Sequence, residues 1–314
     1  MTDWYRGAAS RVALLSLLIV AACSDPPPGS PPPWSVPEVG AEVAAERFIV
    51  LGDMGTGLPG QHEVARHMAE RAAEHGVAFL LTVGDNFYPD GVTSVDDPQW
   101  RTKLEEVYDA PSLRVPVFAT LGNHDHRGSV DAQVASGALD GRWRMPARWY
   151  AFERRLDDGT TVGFFALDTE SLRRGGDDER REQLEWLDRE LARSAARWKV
   201  TFGHHPPFTH GHHDGSGTMR RTVVPLLEEH DVDLHLAGHN HHLELLEPKN
   251  GVAYVVSGAA GGTEKAYEVE WGDDTVYAST GGGFVVGTIT RERLALEFVE
   301  ADGATGFAWE IGKE

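Results

Sequence analysis

The sequence predicts an α/β fold, and three observations carry the prediction. From Arg47 onward, short apolar runs alternate with amphipathic helical stretches. Five of the apolar runs stop at a polar cluster that usually opens with glycine. No linker interrupts residues 47–312, so 47–314 reads as one catalytic domain. The chain has 314 residues, 41% hydrophobic and 25% charged, which supplies a packed core and argues against global disorder.

The elements follow in order. Phe48-Ile49-Val50-Leu51 is a buried strand that ends at Gly52-Asp53. Residues 60–75 form a helix, with Val64, Ala65, Met68, Ala69 and Ala72 on one stripe. Residues 77–83 are a second strand, ending at Gly84-Asp85-Asn86, and 115–121 a third, ending at Gly122-Asn123-His124-Asp125. A strand over 161–167 runs into Asp168, and a charged helix covers 179–196. Val200-Thr201-Phe202 ends at Gly203-His204-His205, a helix spans 218–230, and Leu234-His235-Leu236-Ala237 ends at Gly238-His239-Asn240-His241. The Gly-, Val- and Thr-rich tail, 252–311, reads as antiparallel strands with turns. Ligands bind α/β sheets at the carboxyl ends of strands, so these clusters are expected to converge.

Charge and cysteine content narrow the function. Lys and Arg total 29 against 49 Asp and Glu, a net charge of −20. That excludes a large nucleic-acid or anionic-lipid footprint, which needs clustered basic residues. A small anionic substrate stays open, because bound cations reverse the local potential. A single cysteine, Cys23, excludes an intramolecular disulfide and a cysteine zinc cluster. Residues 1–22 read as a lipoprotein-type signal peptide: Arg6 and Arg11 precede an apolar run, Val12 to Val20, too short to span a bilayer. Val20-Ala21-Ala22-Cys23 resembles a bacterial lipoprotein box, which implies cleavage before Cys23 and lipidation of its thiol. An ordinary signal peptide with a chance cysteine is the alternative. Residues 23–46 form a Pro-rich tether. The expected setting is the cell envelope, facing the periplasm or the cell surface, after export from a bacterial cytoplasm and with a membrane anchor on Cys23.

Two motifs mislead. Gly55-Thr56-Gly57-Leu58-Pro59-Gly60 matches the dinucleotide fingerprint, but Asp53 at the strand end would repel a pyrophosphate, and the later histidine clusters would go unexplained. His62-Glu63-Val64-Ala65-Arg66-His67 looks like a zincin helix, yet its histidines are five apart and about 140° from one another around the helix.

Taken singly, each strand-end cluster is weak, since Asp caps helices and His is commonly a satisfied surface group. Five in order, with complementary donors, are not. Carboxylate, amide and imidazole together suit first-row metals. A two-metal centre with a bridging carboxylate clamps the attacking and leaving oxygens of phosphoryl transfer. Tyr88 adds a phenol whose pKa is near 10, so coordination as phenolate calls for a strong Lewis acid, Fe(III) better than Zn or Mg.

The five blocks resemble the purple acid phosphatases of the calcineurin-like metallophosphoesterase superfamily, whose pattern is D, GDxxY, GNH(D/E), VxxH and GHxH. They stand here as Asp53; Gly84-Asp85-Asn86-Phe87-Tyr88; Gly122-Asn123-His124-Asp125; Thr201-Phe202-Gly203-His204; and Gly238-His239-Asn240-His241. The stretch Gly122 to Gln133 is especially similar to the small, tartrate-resistant type, and Thr201 replaces the family valine. The likeness covers 47 to 311 and implies a four-layer αββα metallophosphoesterase sandwich. It implies Fe(III) on Asp53, Asp85, Tyr88 and His241, and Fe(II), Zn(II) or Mn(II) on Asp85, Asn123, His204 and His239, with Asp85 bridging. His124 and His213 are the implied outer-sphere catalytic residues, His210 and His212 being close alternatives for the second. The implied reaction is acid hydrolysis of small phosphate monoesters by a metal-bound hydroxide, in a monomer that takes no nucleic acid. A phosphodiesterase or nucleotidase on the same centre, and a surface protein that binds phosphate or metal without turnover, are the competing readings.

Overall fold

The structure, a computed structural model, describes residues 44–139, 141–261 and 269–313. The signal peptide and nearly all of the tether expected from the sequence lie outside these residues. The first half of the domain comprises β1 (Glu46–Leu51), α1 (Pro59–His75), β2 (Phe79–Thr82), β3 (Val117–Ala119), α2 (Val130–Gly137), β4 (Trp143–Arg144), β5 (Tyr150–Arg155) and β6 (Thr161–Ala166). Then come α3 (Thr169–Arg174), α4 (Asp177–Arg193), β7 (Trp198–Phe202), α5 (Gly217–Thr222), α6 (Val224–Glu229), β8 (Leu234–Ala237) and β9 (Leu243–Leu246). The tail adds β10 (Ala253–Ser257), β11 (Thr275–Ser279), β12 (Gly283–Ile289), β13 (Arg293–Glu300) and β14 (Thr305–Gly312).

These strands form two seven-stranded sheets, β14-β13-β12-β1-β2-β3-β4 and β11-β9-β10-β8-β7-β6-β5. β1, β2 and β3 run parallel in the first sheet, and β6, β7, β8 and β10 run parallel in the second. The sheets meet through an aromatic core. Phe48 and Phe79 of the first stack at 5.2 Å, and Phe164 of the second meets them edge-on at 5.5 and 5.4 Å. Phe118 stacks on Phe152 at 3.8 Å across the same interface. Burying each such ring stabilises the domain by roughly 1.5–3 kcal/mol before chain entropy is counted. Val64, Ala65, Met68 and Ala72 of α1 join this core. Leu187 and Leu191 of α4 and Met219, Val224 and Leu227 of α5 and α6 pack on Phe165, Leu167 and Tyr254 of the second sheet. Helix, sheet, sheet and helix are therefore layered as expected.

Local signals explain the helices. α4 starts with Asp177, Asp178 and Glu179 and carries Arg193 in its last turn, which complements the helix dipole. Its buried Gln183, Leu187 and Leu191 recur every four residues. The helix expected over 218–230 is two pieces instead, α5 and α6, meeting at Val223-Val224. Pro225 stands in the first turn of α6, where its missing N–H is tolerated; one continuous helix would lose a hydrogen bond there. The tail is not wholly antiparallel either, because β10 pairs in parallel with β8.

The Thr201 departure has a partner. β7 and β8 place Thr201 opposite His235, and Thr201 Oγ1 lies 2.9 Å from His235 Nδ1. His235 Nε2 has no hydrogen-bond partner among the described residues, and burial pushes the imidazole down to about 3. The folded state therefore holds His235 neutral, whereas the unfolded chain takes up a proton below about pH 6.5. This histidine withdraws stability as pH falls from 6.5 towards 3. His235→Leu is expected to reduce the loss of stability between pH 7.5 and pH 4.5 by up to about 3 kcal/mol, read by urea unfolding at both pH values. An identical acid dependence in the variant would show that His235 is not strained by protonation.

Candidate metal centre

Each of the five strand-end clusters leaves a parallel strand of one sheet or the other, so all five reach one edge of the sandwich. β1 delivers Asp53, β2 Asp85 and Tyr88, β3 Asn123 and His124, β7 His204 and β8 His239 and His241. Tight turns aim the donors. Asp53, Asp85 and His239 take φ of 56°, 51° and 70°, and they are three of the five non-glycine residues with positive φ among those described. Such conformations cost of order 1–3 kcal/mol each and concentrate where function needs them. The leading glycines make room. A Cβ on Gly122 would lie 2.1 Å from Asp85 Oδ1, and one on Gly238 would lie 2.6 Å from Asp53 Oδ2.

The donors fall into two groups that share one atom. In the first, Tyr88 Oη lies 3.0 Å from Asp53 Oδ1, 3.0 Å from Asp85 Oδ2 and 3.2 Å from His241 Nε2. His241 Nε2 is 3.3 Å from Asp53 Oδ1. In the second, His204 Nε2 lies 3.4 Å from Asp85 Oδ2, 3.2 Å from Asn123 Oδ1 and 3.2 Å from His239 Nδ1. Asp85 Oδ2 belongs to both. All seven expected metal-binding residues are thus brought together, and Asp53, Asp85 and His204 meet the spacing required of a metal site.

Proton counting tests whether cations fit. His204 Nδ1 donates to the Val83 carbonyl at 3.0 Å, which leaves Nε2 as a lone pair in the neutral ring. That lone pair faces an amide oxygen, a carboxylate oxygen and the His239 nitrogen. Tyr88 has one proton for three neighbours. Acceptors facing acceptors at 3.0–3.4 Å repel unless a cation sits between them. Ligands about 2.1 Å from an ion are separated by about 3.0 Å in octahedral and 3.4 Å in tetrahedral geometry. The donor spacing matches, and the groups fit a pair of metal ions.

The titration behaviour agrees. Burial works to raise Asp85, but the charge of His204 and its hydrogen bond outweigh it and hold the carboxyl below its usual range. Burial lowers His204, and the charges of Asp85 and Asp53 override this to push it up to about 9. Burial, followed by the charges of Asp53 and Asp85, drives the Tyr88 phenol well above 10, so a phenolate there requires a strongly polarising cation. Burial and the neighbouring charges of His204 and His213 bring His239 down to about 2, a neutral ligand at any working pH.

The outer residues are also placed. His124 donates from Nδ1 to the Pro89 carbonyl at 2.5 Å, packs at a tilt against Tyr88 with ring centres 4.4 Å apart, and turns Nε2 to within 4.0 Å of Asp85 Oδ2. His213 stacks on His239 at 4.5 Å and lines a cleft of about 470 Å³ beside Asn123 and His239. His212 packs on His213 at 4.9 Å without lining that cleft. His210 turns away to Asp274 at 2.6 Å.

Sequence reasoning assigned no role to the residues that hold the loops. Asp125 is fully buried and accepts from Gly122 N at 2.8 Å, Asn86 N at 3.1 Å and Gln133 Nε2 at 2.9 Å. It clamps the β2 and β3 loops together; burial and the nearby Asp85 charge raise it to about 7. Thr169 Oγ1 accepts from the backbone of His204 and His205 at 3.2 and 3.0 Å. The available signal was Asn86 and Asp125, polar groups where apolar strands end, whereas Gln133 reaches the clamp from inside α2. Because metal-free His204 holds its proton near neutrality, divalent-metal loading at pH 7.5 is expected to release at least one proton, read by calorimetry in buffers of different ionisation enthalpy. Asp85→Ala is expected to lose both ions in metal analysis, and retention of one per chain would contradict a shared Asp85.

Comparison with known proteins agrees with this geometry. Residues 46–243 match the calcineurin-like phosphoesterase family. The tartrate-resistant acid phosphatase type 5 of Sus scrofa is 32% identical over 294 residues, covering 84% of this chain and 86% of the relative. Purple acid phosphatase 4 of Arabidopsis thaliana is 29% identical over 287 residues, covering 85% and 83%. Among solved structures, GAP50 of Plasmodium, described as the anchor in the inner membrane complex, superposes with a TM-score of 0.80 at 24% identity over 86% of this chain and 90% of that one, a likeness of fold. Parallel strands that deliver two metal-binding groups sharing Asp85, together with these matches, place the chain in the calcineurin-like phosphoesterase family, among its metallophosphoesterase hydrolases.

Proposed function

We propose that the protein is an acid phosphatase that hydrolyses small phosphate monoesters at a binuclear Fe(III)–M(II) centre. The observation that carries this reading is Tyr88 Oη, set 3.0 Å from Asp53 Oδ1 and 3.0 Å from the shared Asp85 Oδ2. Asp53, Asp85, Tyr88 and His241 would hold Fe(III), and Asp85, Asn123, His204 and His239 the divalent ion, Fe(II), Zn(II) or Mn(II). Such a pair supplies charge neutralisation for phosphate oxygens and lowers the pKa of water towards neutrality.

The chain's own groups do the rest. The Val83 carbonyl fixes the His204 tautomer, so Nε2 stays directed at the centre. The Pro89 carbonyl holds the His124 ring through Nδ1 in the same way, so that as an imidazolium His124 would also donate from Nε2 to a phosphate oxygen. His213 stands over His239 at the mouth of the cleft, placed to give a proton to the leaving oxygen. Burial, and then the charge of His212, lower His213 below the ordinary imidazole value, so its protonated form populates in acid. Activity that needs this form rises as pH falls. The same reading keeps the domain at the cell envelope as a monomer, through a lipid on Cys23.

The first test is the visible spectrum of the purified domain with metal analysis on the same sample. Two metals per chain and a broad tyrosinate-to-iron band are expected. Tyr88→Phe should abolish the colour and leave part of the hydrolysis; an unchanged spectrum would refute the phenolate. A colourless protein with two divalent ions would retain the phosphoesterase but remove Fe(III). His124→Ala and His213→Ala are each expected to lower kcat for phenyl phosphate by about 10²-fold or more at acidic pH. For His213→Ala the acid limb of the pH profile should also move.

A further inference from the structure

The chain carries a net charge of −20, yet the cleft beside the divalent-metal group has a cationic wall. Arg127, Arg173 and Arg174 line it together with one carboxylate, Glu170. Glu170 is buried and acts as the hub. It receives Arg173 Nη1 at 3.1 Å and Arg174 Nε at 3.2 Å, and His205 Nε2 stands 3.4 Å away. Arg173 Nη1 also reaches His205 Nε2 at 2.6 Å, and the His205 ring packs on His239 at 4.5 Å. Arg127 stands on the other side, its Nη1 3.2 Å from His124 Nδ1, whose proton is held by the Pro89 carbonyl. The wall thus borders both sides of the proposed reaction site. His126 lines the cleft too, but it and Arg148 are paired with Asp168 and Glu179, so a protonated His126 in this cluster adds no net charge.

Three guanidinium groups against one carboxylate leave an excess of positive charge facing the cleft. The contacts to Glu170 and His205 run through Nη1 of Arg173, so among the described residues its Nε and Nη2 donors take no partner. Arg174 is 74% exposed along its side chain and offers its Nη groups to the cleft in the same way. Planar guanidinium groups are suited to phosphate oxygens, which they bind with two parallel hydrogen bonds. A monoester spends its only phosphate on the metal ions and has nothing for this wall to hold.

The geometry points to a second phosphate subsite: Arg173 and Arg174, preorganised by Glu170 and assisted by Arg127, hold another phosphoryl group of the substrate while the first lies at the metal centre. This rests on the phosphatase reading above and makes small molecules with two phosphoryl groups the preferred substrates. Two sources share the chemistry, an anhydride such as pyrophosphate and a sugar carrying two separate phosphates.

The experiment uses the metal-loaded domain and two substrate pairs: pyrophosphate against phenyl phosphate, and glucose 1,6-bisphosphate against glucose 1-phosphate. The ratio of kcat/KM within each pair is compared between wild type and the variants Arg173→Ala, Arg174→Ala and Arg174→Lys. Wild type is expected to favour the doubly phosphorylated member of at least one pair. Each alanine variant should lower that ratio roughly tenfold, through KM, while Arg174→Lys keeps it within about threefold. A preference in the first pair alone identifies an anhydride, and one in the second alone a bisphosphate. Hydrolysis of phenyl phosphate with ratios unmoved by either alanine overturns the subsite and leaves the phosphatase standing. No hydrolysis of any of the four compounds overturns the phosphatase reading, and the subsite with it.

Discussion

The site depends on one buried carboxylate oxygen. Asp85 Oδ2 lies 3.0 Å from Tyr88 and 3.4 Å from His204, and the Asp85 side chain is almost wholly removed from water. Asp53 and Asp125, both fully buried, are near enough for the charges to act on one another. Desolvated carboxylates this close repel strongly, and the charge of Asp85 helps push Asp125 up towards neutrality. Cations are therefore part of what makes this edge of the fold stable, and the site and the fold are coupled through charge. The rise of His204 to about 9 shows the same demand from the other direction: the carboxylates capture a proton where they lack a stronger Lewis acid.

Geometry that serves this oxygen is built into the loops at a cost. The left-handed conformations of Asp53, Asp85 and His239 are held by contacts that run between loops: Asp53 N to Gly84 O at 3.0 Å, Met54 N to Asp85 O at 3.2 Å, and His239 N to Asp53 Oδ2 at 2.9 Å. Asp85 Oδ1 is taken by the backbone of His124 at 2.7 Å, which reserves Oδ2 for the centre. Each strained turn is thus stabilised by a neighbouring one, so the five clusters stand or fall together. That interdependence accounts for glycine before the donors at positions 122 and 238, where any side chain would enter the carboxylates.

How much of this was legible in the sequence follows the same division. Period and composition announced the strands, since apolar runs such as Phe48-Ile49-Val50-Leu51 are buried on both faces and need no partner to be recognised. The donors were legible because a strand end followed by glycine and a ligand residue is a local pattern. Long-range pairing was not. Nothing near Asp125 in the chain says that Asn86 and Gln133 complete its hydrogen bonds, and the Thr201–His235 pair joins residues 34 apart. The break at Val223-Val224 is hidden in the sequence for a related reason: apolar spacing continues through Pro225, and only the backbone registers the missing N–H. Glu170, Arg173 and Arg174 sit in an ordinary-looking charged stretch, and only the fold brings them beside His205.

The acidic composition and an anionic substrate are reconciled by distance. Surface charges are screened over about 8–10 Å at physiological salt, so the −20 of the whole molecule acts weakly at the bottom of a cleft. There the local groups decide. Two metal ions on seven donors would leave excess positive charge at the carboxyl ends of β1, β2, β3, β7 and β8, and Arg127, Arg173 and Arg174 extend it along the cleft. The acidic exterior then has a selective effect. Long polyanions, whose charge must lie across the surface, would be repelled, whereas a compact phosphate that fits inside the cleft would meet a net positive interior. On the proposed reading, selectivity for small substrates would arise from the contrast between the two fields.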